Sequence, residues 1–408
     1  MVEVDVRSEL PMLRVPISLI VDDWSVACVS ERGDVDYRAT YEFLTDMLSL
    51  RAAGVRGKIS LVPCLTRAAD GGHELLGCVS RGVKGVPREA LERTLSLVRG
   101  EASRYFDFTP EMLTHTVVVD LDSGELLSET EWEWSQRQGV EELTKYIAQA
   151  LKVLKDVGIV ASGVTSPCDF GREVEGLYAK AVLEAEKLVN GLSLTWYFLH
   201  VEPCKARVTP RLMHLDWGLG EAVVSVISCS RDYLGKSELE RASGDPSKLA
   251  DRWLTADGSG GRLAELYRGK SYLVFHTHWY NVYGSGDRLG LKALREVVSR
   301  VSRVMGSGVV WMRCSEVARY FATSKAFKAE VRGGGREIEL VFRSPFACKN
   351  FTVSLGVERE VASVEVDGRR LRRLRTVPLE PNSWATSGDR LYACFNLRDG
   401  VRLRILLS

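Results

Sequence analysis

Between residues 15 and 323, short runs of β-branched and aliphatic residues alternate with longer amphipathic stretches, and this alternation restricts the fold more than any other feature. The strand-like runs are 15–21 (VPISLIV), 58–63 (KISLVP), 115–119 (HTVVV), 158–164 (GIVASGV), 193–199 (SLTWYFL), 222–228 (AVVSVIS), 271–275 (SYLVF) and a weaker 309–312 (VVWM). They are almost uninterruptedly apolar, the pattern of parallel strands covered on both faces. Between them, stretches such as 140–157, 177–189 and 291–304 repeat apolar residues every three or four positions, as helices with one buried side do. Seven or eight such units predict an α/β fold, a TIM-like (β/α) barrel over residues 1–323. A doubly wound sheet is the weaker choice, because the first strand runs into Asp22-Asp23-Trp24 and not into a glycine-rich phosphate loop.

After Thr323 the pattern changes to alternating strands joined by turn signals at 333–335 and at Asp367-Gly368, the latter favouring a type I′ hairpin. No helix of useful length can be drawn there. A small all-β, sandwich-like domain is predicted for 326–408. It carries 15 basic against 10 acidic residues, including Arg369, Arg370, Arg372, Arg373 and Arg375, a run that suits a solvated strand face or contact with an anionic polymer.

Over all 408 residues, 55 basic side chains oppose 54 acidic ones, so bulk charge implies no nucleic-acid partner. No uncharged apolar window is long enough for a membrane helix. The opening MVEVDVRSELPMLRV is acidic where a signal peptide is basic and then apolar, so a cytoplasmic protein is expected. Nine scattered cysteines without a CxxC pair read as free thiols in a reducing compartment.

In a parallel barrel the reactive groups sit at the carboxyl ends of strands. Those ends converge on Asp22-Asp23-Trp24, Asp120, Thr165-Ser166-Pro167-Cys168-Asp169, His200 and His276-Thr277-His278-Trp279, while Thr114-His115-Thr116 stands at the beginning of the third run. Adjacent aspartates on a strand point in different directions, so one can bind a metal while the other handles a proton. His276 and His278, two apart, point the same way, a spacing compatible with metal ligation.

This arrangement resembles the polysaccharide deacetylase (NodB-like) family, whose catalytic domain is a deformed (β/α) barrel. ISLIVDDW resembles the family's first motif, EMLTHTVVVD its histidine motif, SGVTSPCDFG its Arg-x-Pro segment and SYLVFHTHW its late Leu-x-His strand; SGVVWMRCSEVARYF is similar to the closing strand and helix, which opens at Ser315-Glu316. The resemblance implies Asp22 as catalytic base, Asp23 and His115 as metal ligands, and His276 as the acid that protonates the leaving group. Three departures stand out. The position of the motif's second histidine is Val119, the motif arginine is replaced by Thr165 or Ser166, and 68–110 reads as an insertion or else as a different strand assignment. The third ligand then falls to His278 or His200, with zinc the metal that best suits mixed His and Asp ligands, although Co, Ni, Mn and Fe use the same set.

The implied activity is metal-dependent removal of an acyl group from a carbohydrate or sugar conjugate. Trp24, Ser166, Trp196 and Trp279 are the expected substrate contacts, with Trp132, Trp134 and Trp217 also near predicted strand ends. Glu131 and Glu133 in ETEWEW keep open a glycoside hydrolase using two carboxylates. A catalytically inactive carbohydrate-binding barrel is the third reading.

Overall fold

The computed structural model of the chain describes residues 5–30, 33–284, 287–334 and 336–408. The first domain contains β1 (Val15–Trp24), β2 (Gly57–Leu61), β3 (Phe106–Pro110), β4 (Gly163–Thr165), β5 (Leu194–Val201), β6 (Glu221–Ser228), β7 (Leu273–His278) and β8 (Val309–Trp311). They form two parallel sheets, one ordered β7-β1-β2-β3 with β8 along the start of β1, the other β4-β5-β6. In place of the expected closed ring, the parallel strands form two separate arcs. An antiparallel strand, Arg211–Asp216, takes the outer edge of β6, so β6 reaches β7 only at its end, where the Cys229 N–H donates to the Val274 carbonyl at 2.6 Å. At the other seam the hydroxyls of Thr109 and Thr165 meet at 2.9 Å.

The third strand is not the expected 115–119. Phe106–Pro110 takes that place, paired in unbroken register with β2, inside the segment that reads as an insertion. Asp107 interrupts its apolar run and faces Ser315, accepting from its N–H at 2.7 Å and its hydroxyl at 2.8 Å. Residues 117–119 form instead a short hairpin with Leu126–Thr130. The rest of the supposed insertion is helix Arg88–Gly100 and a small antiparallel sheet, Cys64–Ala69, Gly72–Cys78 and Gly82–Val83. Cys64 and Cys78 lie directly opposite in that sheet and are joined by a disulfide, which corrects the expectation that every cysteine is free.

Alternation along β1 sends Ile17, Leu19 and Val21 into a core shared with Phe43, Leu44 and Met47 of α1 (Arg38–Ser49). The helices α2 (Val140–Asp156) and α3 (Glu175–Asn190) bury residues at spacings of three and four, as their sequence patterns predict. The closing helix α4 (Cys314–Ala326) starts against the opposite side of β1, with Cys314 Sγ 3.5 Å from the Ser18 hydroxyl.

Residues beyond α4 build one five-stranded sheet and four strands of a second, consistent with the sandwich reading. Asp367 and Gly368 have φ of 46° and 76°, the positive pair a type I′ turn needs; Gly335, in the other predicted turn, lies outside the described residues. One boundary shifts. Val6–Ser8 pairs antiparallel with Val353–Leu355 at a sheet edge, so the amino-terminal strand belongs to the β domain and not to the barrel. Phe342, Phe351 and Trp384 share one core with Tyr320 of α4 and with Trp196 and Val224 of the β4-β5-β6 arc. Among the described residues no helix is long and apolar enough to cross a membrane.

On α3, Glu186 has no exposed surface, and its Oε1 and Asn190 Oδ1 are buried without a hydrogen-bond partner. Burial, opposed only by the Asn190 hydrogen bond, pushes its carboxyl from 4.5 up to about 8. Below the unfolded value both states hold the proton; as pH rises toward 8, the unfolded chain releases it and the folded chain does not, so stability is lost over that window. Glu186→Gln is expected to match the native protein near pH 4 and to be more stable at pH 8 by on the order of a few kcal/mol, read from denaturation at both pH values.

Candidate functional site

Asp22 keeps the β1 register, opposite His278 of β7. The pairing with β2 then slips between Val21 and Trp24, and Asp23 sits at φ 62°, in the left-handed region that costs a non-glycine residue energy. The slip is held from below: the Asp23 N–H donates to Glu111 Oε2 at 2.8 Å and to the Ser60 hydroxyl at 3.0 Å. Ser60 in turn hydrogen-bonds Glu111. The bulge therefore lets two adjacent aspartates serve one site, which simple alternation would forbid.

His115 arrives from the loop after β3, and a single carboxylate shapes that loop. Glu131, with no exposed surface, accepts the N–H groups of Leu113 at 3.0 Å, Thr114 at 2.9 Å and His115 at 2.9 Å, and the Tyr146 hydroxyl at 2.7 Å. These bonds hold His115 at φ 60°, another left-handed conformation. Its Nε2 lies 3.0 Å from Asp23 Oδ1 and 3.7 Å from Glu111 Oε1.

One donor atom from each of Asp23, Glu111 and His115 lies within 4.8 Å of the other two. Two carboxylates and an imidazole are ligand types that zinc and other divalent transition metals accept, with a position left for water. Burial works against charge on Asp23, but the hydrogen bond and charge of His115 outweigh it and hold the carboxyl low. Glu111 is pushed up by burial and by the Asp23 charge. His115 is raised to about 10, because its bond to Asp23 and the charge of Glu111 overcome desolvation.

Beneath this cluster, Lys58 of β2 is wholly buried and donates to Asp22 Oδ1, with its ammonium 5.0 Å from the centre of the Phe198 ring. It supplies a cation to Asp22 from a different strand than the missing motif arginine. On β7 the two histidines diverge. His276 is buried, bonds the Ser228 hydroxyl through Nδ1 at 2.9 Å, and is held low by desolvation. His278 is partly exposed and bonds Asp232 Oδ2 through Nδ1 at 2.7 Å; burial opposes its charge, but Asp232, Asp23 and Asp22 raise it to about 9. Asp232 also receives the Thr277 hydroxyl, the His278 N–H and the Asn281 amide. A carboxylate so engaged fixes the imidazole orientation and leaves Nε2 free of it.

The predicted residues are therefore only partly brought together. Asp22, Asp23, His115 and the two β7 histidines meet at one end of the strands. His278 pairs with Asp232, and the donor atom that lies within 4.8 Å of those of Asp23 and His115 comes from Glu111. His200 is 2.8 Å from Glu175 and is also outside the cluster. Trp24 and Trp196 have no exposed surface and donate their indole N–H to the Thr40 carbonyl and the Ser162 hydroxyl, so they are core residues and not substrate contacts. Ser166 is buried against the Tyr178 hydroxyl, and Trp279 packs edge-on to Phe43. Glu133 is tied to Thr130 at the start of a short helix, so it does not pair with Glu131 across a pocket. Glu111 was findable: it stands four residues before His115, the reverse of the direction in which the family motif extends. Lys58 and Asp232 carried no local signal.

No family model matches the chain, and no curated protein matches it. Solved structures that align with it include a glycoside hydrolase family 30 subfamily 8 xylanase from Clostridium acetobutylicum, at 12% identity over 99% of each chain and a TM-score of 0.31. A dextranase from Flavobacterium johnsoniae aligns at 8% identity over 98% of this chain and 71% of its own, TM-score 0.35. A lactam utilization protein from Thermus thermophilus aligns at 13% identity over 72% of this chain and 98% of its own, TM-score 0.34. Likenesses this weak transfer neither fold nor activity; both rest here on strand pairing and side chains.

Two expectations follow. Glu131→Ala leaves three backbone donors and a tyrosine hydroxyl without their buried acceptor, which is expected to cost about 3 kcal/mol in chemical denaturation. Lys58→Met strands the buried Asp22 charge and is expected to cost about 3–5 kcal/mol, most of it recovered in Lys58→Met/Asp22→Asn as judged by thermal melts.

Proposed function

We propose that the chain is a hydrolase acting on a carbohydrate or sugar conjugate, and that its reaction is metal-dependent removal of an acyl group. The observation that carries the metal-dependent step is the convergence of Asp23, Glu111 and His115 donor atoms within 4.8 Å. The sugar-acyl substrate class comes from the resemblance of the sequence motifs to polysaccharide deacetylases.

Asp23, Glu111 and His115 would hold the ion, which when bound supplies Lewis acidity and a more acidic water. The rest of the work falls to protein groups. Asp22 takes the proton from the attacking water, its carboxylate oriented by the buried Lys58. The protonation of the leaving group falls to His278 and not to His276. His278 has the carboxylate partner that favours its cationic form, whereas burial holds His276 neutral. His276, bonded to Ser228, packs beside it with ring centres 5.7 Å apart.

A second reading, a carboxylate-based glycoside hydrolase, is favoured by one observation. The environments of Asp23 and Glu111 push their carboxyls in opposite directions, the pattern of a nucleophile or base beside a general acid.

Elemental analysis, with activity on acetylated sugars and on glycosides, separates the two. The proposal expects about one bound zinc or similar ion per chain, lost in Asp23→Asn and Glu111→Gln, with deacylation abolished by chelation. His278→Gln is expected to keep the metal and lose about 100-fold in kcat, while His276→Gln loses less. Chelator-resistant cleavage of glycosides that is lost in Glu111→Gln would select the second reading.

A further inference from the structure

At the end of the parallel strands opposite the site, the barrel and the β domain enclose a cleft of about 1470 Å³. Arg56, just before β2, and Trp311, at the end of β8 beside Ile17 of β1, place it at that far end. Seven of its lining residues are arginine or lysine and two are acidic, in a chain whose overall charge is +1. Arg56 and Arg313 pair with Glu316, and Arg398 pairs with Asp367. Arg319, Lys349, Arg369 and Arg370 are exposed and make no ion pair among the described residues. Arg369 and Arg370 open the basic run noted in the sequence; the fold turns them toward cations from α4 and from the other sheet.

We propose that this cleft binds a segment of an anionic polysaccharide, one whose sugars carry carboxylate or similar acidic groups. The volume exceeds the several hundred cubic ångströms typical of a site for one small molecule and suits several linked sugars. Guanidinium groups match carboxylates with paired hydrogen bonds. The carboxamides of Asn350, Asn382 and Asn396, also in the lining, suit sugar hydroxyls. A single-stranded nucleic acid would call for a series of aromatic faces, whereas Trp311 is the one partly exposed aromatic side chain among the lining residues. The cleft and the Asp23 cluster lie at opposite strand ends, so the cleft tethers a polymer and does not process it.

The test is equilibrium binding of the full chain to polygalacturonate, with a neutral glucan and polyuridylate as the other arms. Polygalacturonate is expected to bind, to bind more weakly as NaCl is raised, and to lose about tenfold in affinity in Lys349→Ala/Arg369→Ala/Arg370→Ala, whose side chains are exposed. Equal binding of the neutral glucan, preference for polyuridylate, or unchanged affinity of the triple variant would overturn the proposal. Metal content is read in parallel: the triple variant keeps it, and Asp23→Asn keeps polymer binding, so failure of the cleft and failure of the hydrolase reading are told apart.

Discussion

The ammonium of Lys58 is buried with no exposed surface and with the Asp22 carboxylate as its charged partner. Taking a lysine charge out of water costs several kcal/mol, which only a close and correctly oriented carboxylate offsets. The pair therefore fixes which face of β1 looks inward. Ser18, Ile20 and Asp22 lie on that face, α4 packs against its lower part through Cys314, and the site forms at its upper end. A polar side chain placed on the inner face of β2 thus sets where the reactive end of β1 must stand.

Above that pair, strain is concentrated where chemistry is proposed. Asp23 and His115 both adopt left-handed backbone conformations, and each is held there by a carboxylate that is not itself free to react at the same atoms. Glu111 restrains the Asp23 amide and lends its other oxygen to the ligand cluster. Glu131 spends both oxygens on the His115 loop. Such strain persists only where surrounding bonds over-determine it, and four hydrogen bonds on one buried carboxylate meet that condition.

The β domain is not an appendage. Its first strand comes from the other end of the chain, Val6–Ser8, and its core runs without a break into α4 and the β4-β5-β6 arc. Trp196 and Val224 of that arc pack directly with the sandwich core.

The sequence by itself determined the alternating α/β domain, the carboxyl-terminal sandwich, the type I′ turn at Asp367-Gly368 and the placing of Asp22, Asp23 and His278 at strand ends, because periodicity and strand termini are local properties; His115, read there at the start of a strand, follows a strand end only because the third strand lies at Phe106–Pro110. It misplaced the third strand because Asp107 breaks an apolar run for a reason 208 residues away, the amide and hydroxyl of Ser315. It kept Glu131 open as one of two reactive carboxylates, whereas three backbone amides and a tyrosine claim it. The different surroundings of His276 and His278 were not legible in it, since only the fold brings Asp232 to one and buries the other. The surroundings of Asp23, Glu111 and the histidines and the division of the parallel strands into two arcs depend on partners far apart in the chain, and those partners meet only when the tertiary structure closes around them.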